Sequence, residues 1–208
     1  MAISTYQTLR QALVDWSKRS DSLTMLDTFI QLCESEIYGN GTQNLRIRDM
    51  ETTLIDQTNT SDRFMPLPDG FLEMRRIAIE TVCGYQPLEF LVPQFMHVHD
   101  QKYMPSAFTV TSQIEFNCVS QTPHNVEMVY YKTLDPISET NVSNAALTRF
   151  PNIYLQGSLA ALFQWAKQPD LASYHYQQFI ATIGKANHQD KRGRYGPAPS
   201  IRVVGATP

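Results

Sequence analysis

Charge is scarce in this sequence. Asp, Glu, Lys and Arg together make up 18% of its 208 residues, below the quarter or so usual for soluble domains. Hydrophobic residues reach 42%, so the composition leans toward a protein that buries surface in an assembly. No excess of one sign is present either. Twenty acids against seventeen bases leave a net charge of −3, which gives no general attraction to nucleic acid. Cysteine is limited to Cys33, Cys83 and Cys118, odd in number and far apart, and none forms a C-x-x-C pair. A disulfide framework or a paired-cysteine zinc site is therefore not expected. No apolar run approaches the roughly 20 residues of a membrane helix, so no membrane partner is expected. Met1 to Tyr6 offers neither a basic n-region nor an apolar h-region, so no signal peptide is expected and the protein reads as soluble when made. The G-x-S-x-G elbow, the P-loop and the G-x-G-x-x-G fingerprint are all missing.

What is present falls into blocks. Tyr6, Leu9, Leu13 and Trp16 recur at helical spacing, with Ser4 or Thr5 as N-cap. After the Ser20-Asp21-Ser22 break, Leu26, Phe29, Ile30, Cys33 and Ile37 mark a second amphipathic helix, stopped by Gly39-Asn40-Gly41. The two predict a helical hairpin over residues 1–44.

Residues 45–137 change character, with Thr, Val, Ile, Phe and Tyr between frequent turn residues. Strands are predicted at Thr52 to Asp56, around Phe64, at Met74 to Val82, Phe90 to Val92, Phe108 to Thr111, Gln113 to Cys118 and Val126 to Lys132. Thr122-Pro123-His124-Asn125 reads as a hairpin joining the last two, and His97 to Pro105 as a polar loop. The block is an inserted antiparallel β-domain.

Helices return over 138–187. Pro151 suits a first turn, ahead of Ile153, Leu155, Leu159, Leu162 and Phe163, with Gly157, Ser158, Ala160 and Ala161 allowing close packing. After Gln168-Pro169-Asp170, Ala172, Tyr176, Phe179 and Ile183 form a last helix. Periodicity is lost near His188, and residues 188–208 read as an extended tail. There Lys191, Arg192, Arg194 and Arg202 face only Asp190, with Tyr195, Ile201, Val203 and Val204 as apolar anchors. Such a segment can order itself against a partner, and Ile201-Arg202-Val203-Val204 has the makings of an added strand. The fold class is α+β: a helical bundle, made of the N-terminal hairpin and the C-terminal helices, with an inserted antiparallel β-domain and an extended C-terminal tail.

The chemistry is thin. His97-Val98-His99 would put two imidazoles on one side of a strand, a spacing some metal sites use, with Asp100 or His124 as third ligand; the plainer reading is two surface histidines. Asp49, Glu51, Asp69 and Glu73 near Arg46, Arg48, Arg75 and Arg76 read as surface ion pairs. No catalytic residue, metal or cofactor is expected.

Several strings, taken in order, carry a resemblance. Leu45-Arg46-Ile47-Arg48-Asp49-Met50-Glu51 follows a helical hairpin, and Leu67-Pro68-Asp69-Gly70-Phe71-Leu72-Glu73-Met74-Arg75 is similar to an LP-x-(D/G)-(F/Y)-L-x-x-R step. Pro87-Leu88-Glu89-Phe90 comes before Val92-Pro93-Gln94-Phe95. Val129-Tyr130-Tyr131-Lys132-Thr133-Leu134 and Phe150-Pro151-Asn152-Ile153-Tyr154-Leu155 complete the set. Together they resemble the podovirus-type phage head-to-tail connector, or portal adaptor, family. That resemblance implies a structural virion protein at the head-tail junction, present in the host cytoplasm during assembly. It implies a ring of twelve copies under a portal protein ring, a platform for tail nozzle or tail fibre proteins, and a lumen through which double-stranded DNA passes without sequence-specific binding. It implies that the C-terminal tail, with Lys191, Arg192, Arg194, Tyr195, Ile201, Arg202, Val203 and Val204, reaches along the portal. The alternatives are a tail nozzle or neck-completion protein, a DNA-binding accessory factor and, remotely, a metal-dependent hydrolase using His97 and His99.

Overall fold

The structure is a computed structural model that describes residues 2–19, 21–39 and 43–195, the last four by backbone alone. The chain is of mixed α/β class and divides into two compact units. One takes Met1–Arg48 together with Leu134–Pro208, the other Asp49–Thr133.

The first unit is helical. Helix α1 (Tyr6–Ser17) starts at Thr5, whose hydroxyl accepts from the Thr8 amide while the Thr8 hydroxyl accepts from the Thr5 amide; this reciprocal cap satisfies two otherwise orphaned donors. It buries Tyr6, Leu9, Leu13 and Ser17. Trp16, expected on that face, is 58% exposed, because the 6-9-13 stripe continues at 17 rather than 16. Helix α2 (Leu26–Gly39) buries Leu26, Phe29, Ile30, Cys33 and Ile37. A short helix α3 (Ala145–Arg149), capped by the Asn144 side chain on the Leu147 amide, leads into α4 (Pro151–Trp165) with proline in its first turn. Helix α4 has no charged residue and buries nine of its fifteen positions, as befits the element on which α1, α2, α3 and α5 pack. Helix α5 (Pro169–Tyr195) runs 27 residues and buries Phe179, Ile183 and Ala186. The extended tail expected from His188 is therefore helical as far as Tyr195.

Gly157 is the tightest point of this packing. A Cβ there would lie 2.5 Å from Cys33 Sγ and 3.0 Å from the Phe179 ring, both fully buried.

The second unit is built of strands. A four-stranded sheet has the order β1 (Glu51–Gln57), β10 (Asn125–Lys132), β3 (Phe71–Thr81) and β4 (Gly84–Pro87), all antiparallel. A second has the order β2 (Phe64–Met65), β8 (Ile114–Phe116), β7 (Ala107–Val110) and β5 (Glu89–Phe90), with β5 parallel to β7. A parallel pair joins β6 (His99–Tyr103) to β9 (Cys118–Ser120). The core gathers Ile77, Ile79, Phe108, Ile114, Phe116, Val126, Met128 and Tyr130.

Three expectations are corrected here. Within the loop expected at His97 to Pro105, His99–Tyr103 is strand β6. The strand expected at Gln113 to Cys118 breaks at Asn117, whose side-chain oxygen takes the amides of Ser106 and Ala107. And residues 122–125 join strands that do not pair: β10 lies between β1 and β3, while Thr58 and His124 exchange hydrogen bonds beside it (Thr58 amide to His124 carbonyl 2.9 Å, His124 amide to Thr58 hydroxyl 3.0 Å).

Gly157→Ala should lower the stability of the helical unit by about 1–3 kcal/mol through overpacking. Cys33→Ala in the same chain should restore part of the loss, as urea unfolding of the single and double variants would show.

Candidate functional site

Helix α5 does more than pack. The segment that leaves the helical unit buries Leu45 and Ile47 completely, which partly shields the backbone between them from water. The Asn187 side chain accepts from the Arg46 amide (2.8 Å) and donates to the Asn44 carbonyl (2.9 Å). One turn on, Asp190 Oδ2 accepts from the Arg48 amide (2.9 Å), and Arg149 Nη1 stands 3.8 Å from Oδ1. Asp190, read in the sequence as a lone acid among tail cations, is 5% exposed and part of this clasp. Residues 44–48 therefore belong to the helical unit rather than to the insert.

The segment that returns is held in the same way. Glu34 Oε1 accepts from the Ile137 amide (2.9 Å) and from the Tyr154 hydroxyl (3.1 Å), which accepts in turn from Asn144 Nδ2 (2.7 Å). The Tyr38 hydroxyl accepts from the Leu134 amide (3.1 Å). Burial raises Glu34 above its ordinary pKa of 4.5, against the two hydrogen bonds that favour its carboxylate. Burial also pushes the Tyr38 phenol up to about 12.

Lys191 is exposed just beyond Asp190, and Arg192, Arg194 and Tyr195 follow on the helical backbone. Ile201, Arg202, Val203 and Val204 lie outside the described residues.

A cleft of about 300 Å³ opens in the helical unit between α2, α4 and α5, lined among others by Leu32, Glu36, Ala160, Ala161, Ala172 and Tyr176. Of the small residues read from the sequence as packing positions, Gly157, Ser158 and Ala160 are buried, whereas Ala161 is half-buried, and Gly157, Ala160 and Ala161 also line this opening. Leu32 and Tyr176 on its wall are 49% and 39% exposed. In the β unit, exposed apolar side chains concentrate between Val82 and Met104, among them Phe90, Phe95 and Tyr103. Sequence reasoning missed both surfaces. Their apolar residues are read there as core or strand positions, and exposure leaves no mark on spacing.

The histidine pair gains no third ligand. His97 and His99 are exposed, His124 pairs with Thr122 (3.2 Å), and no group of three His, Cys, Asp or Glu that could hold a metal occurs among the described residues. No helix among them is long and apolar enough to cross a membrane.

Compared with known families, the chain falls among the structural adaptor proteins of phage, and so among virion components. The match is to the SU10 adaptor protein family, over residues 4–202, and the chain belongs to that family. Among curated proteins nothing matches.

Asn187→Ala and Asp190→Ala should each cost about 0.5–1.5 kcal/mol in urea unfolding, because each removes the acceptor of a part-buried backbone amide. Asp190→Asn should cost less, since its amide oxygen still accepts from Arg48. Glu34 makes a second prediction. A carboxyl raised in the folded state binds its proton more tightly there, so its contribution is most favourable below 4.5 and is lost as pH rises through the raised value. Glu34→Gln keeps the acceptor oxygen and should remove that part of the fall in stability between pH 4 and neutrality.

Proposed function

We propose that this chain is a head-to-tail adaptor that assembles as a ring of twelve copies beneath a portal, offers a platform to nozzle or fibre proteins, and surrounds the path of the DNA. The observation that carries this reading is the family match over residues 4–202, which includes most of the basic C-terminal stretch. That stretch supplies the portal contact: Lys191, Arg192, Arg194 and Arg202 meet acidic grooves, and Tyr195, Ile201, Val203 and Val204 anchor it. The clasp on α5 supports it physically, because Asn187 and Asp190 hold the base of the stretch against residues 44–48. A segment that starts from a fixed point loses less entropy on docking, and copies around a ring add their contacts. The net charge of −3 per copy suits a wall along which DNA moves without sticking.

The test uses purified portal rings and the full chain. Wild type should cosediment with the rings at physiological salt. The variant with Lys191, Arg192, Arg194 and Arg202 all changed to Gln should lose at least about 1.4 kcal/mol of affinity, a factor of ten. If wild type does not bind the rings, the portal position is wrong and a nozzle or neck position replaces it.

A further inference from the structure

The clasp gathers basic residues as well as backbone. Asp190 Oδ2 accepts from the Arg48 amide at 2.9 Å, Arg149 Nη1 stands 3.8 Å from Oδ1, and Lys191 is the next residue on α5. One turn earlier the Asn187 side chain accepts from the Arg46 amide at 2.8 Å. Bases from three separated segments, 44–48, 145–149 and 183–195, thus come to one end of the helical unit. By sequence these segments hold Arg46, Arg48, Arg149, Lys185, Lys191, Arg192 and Arg194, with Asp190 as their one acid. Asp190 is buried, whereas Arg48 and Lys191 are exposed, Arg46 is half-buried and the Arg149 side chain is 32% exposed. Asp49 and Glu51 follow Arg48 along the chain, and Glu51 stands 4.0 Å from Arg75. The whole chain carries −3, so the surplus of bases here leaves the remainder more acidic still.

The surroundings of these bases select their anion. A protein partner needs an apolar anchor near the centre of its contact. Residues 44–48, 145–149 and 183–191, all described, expose no large hydrophobic side chain: Leu45, Ile47, Leu147 and Ile183 are fully buried. They expose no Phe, Tyr or Trp either, so the bases of a single strand would find no ring to stack on. Three guanidinium groups and an ammonium without apolar company suit the closely spaced phosphates of a duplex, which ask only for charge and hydrogen-bond donors.

We propose that Arg46, Arg48, Arg149 and Lys191 form a binding site for the phosphate backbone of double-stranded DNA, without regard to base sequence. Asn187 and Asp190 fix the segment and the helix that carry these residues, so the site is preformed on the folded unit. Acid elsewhere keeps the duplex off the rest of the surface and confines contact to this place. Lys191 is shared with the portal contact; Arg46, Arg48 and Arg149 have no part in it.

The test titrates full-length protein into a labelled duplex of about 30 base pairs, read by fluorescence anisotropy at several salt concentrations. Wild type should bind AT-rich and GC-rich duplexes alike, with a log–log salt slope of about −3. Arg48→Gln combined with Lys191→Gln changes exposed side chains that the clasp does not use, so urea unfolding should find the fold intact. That pair should weaken binding about tenfold near 0.1 M salt and flatten the slope by about 2. Lys102→Gln combined with Lys132→Gln removes equal charge from exposed lysines of the β unit and should leave affinity within about twofold. No binding by wild type near 0.1 M salt overturns the proposal. So does binding that the Arg48 and Lys191 pair leaves unchanged, or that the Lys102 and Lys132 pair lowers as much. Poly-glutamate of similar length bound as tightly as the duplex also overturns it, since an acidic protein would then be the partner. Portal rings are absent throughout and Arg48 is not among the residues assigned to them, so the two readings fail separately.

Discussion

Two backbone amides, those of Arg46 and Arg48, are taken up by side chains of one helix, and much of the helical unit depends on it. The segment they belong to carries Leu45 and Ile47 into the core, which leaves its peptide groups partly shielded from water. Amides shielded from water and left without partners would weaken the segment's hold on the core. Asn187 and Asp190 supply the partners at a spacing of three residues, so α5 must stay helical past the point where its apolar residues end. The buried Asp190 carboxylate is tolerable because an amide and the Arg149 guanidinium face it. Glu34, Tyr38, Asn144 and Tyr154 perform the matching task where the chain returns at Leu134 to Ile137. The segments of the helical unit on either side of the insert, residues 44–48 and 134–137, are thus each held by polar side chains of that same unit.

Much of this was legible in the sequence where burial is apolar. The stripes of α1 and α2, the proline that opens α4 and the β-branched runs of β3, β7 and β10 all announce themselves through spacing. What escaped was polar or nonlocal. The stripe Ile183, Ala186, Asn187, Asp190 has helical spacing, but its last two members are polar, so hydrophobic periodicity ends it at His188 while the helix goes on to Tyr195. Strand β6 is exposed along its whole length and pairs parallel with β9, which no local pattern can reveal. The connection at residues 122–125 has the residues of a hairpin, yet β10 pairs with β1 and β3 from farther along the chain. Of the expected partner-binding residues, Lys191 is exposed on helix α5 rather than in an extended tail.

These features suit a structural role. An adaptor must present surface to others while keeping its own frame fixed. Here the frame is an uncharged central helix with four others packed on it, and the surfaces left over are an apolar cleft, an apolar stretch between Val82 and Met104, and a basic chain end. The scarcity of charge noticed first in the composition is therefore not spread evenly. It is concentrated in α4 and in the segment from Val82 to Met104, where Glu89, Asp100 and Lys102 are the only Asp, Glu, Lys or Arg residues.

Native-state hydrogen exchange on the amides of Arg46 and Arg48 tests the central claim most directly. If the side chains of Asn187 and Asp190 hold this segment as part of the helical core, both amides exchange only on global unfolding of that unit, together with the amides around Ile183 in α5. Asn187→Ala would then release Arg46 selectively. Exchange of both amides at rates close to those of an unstructured chain, while α5 stays protected, would contradict the account.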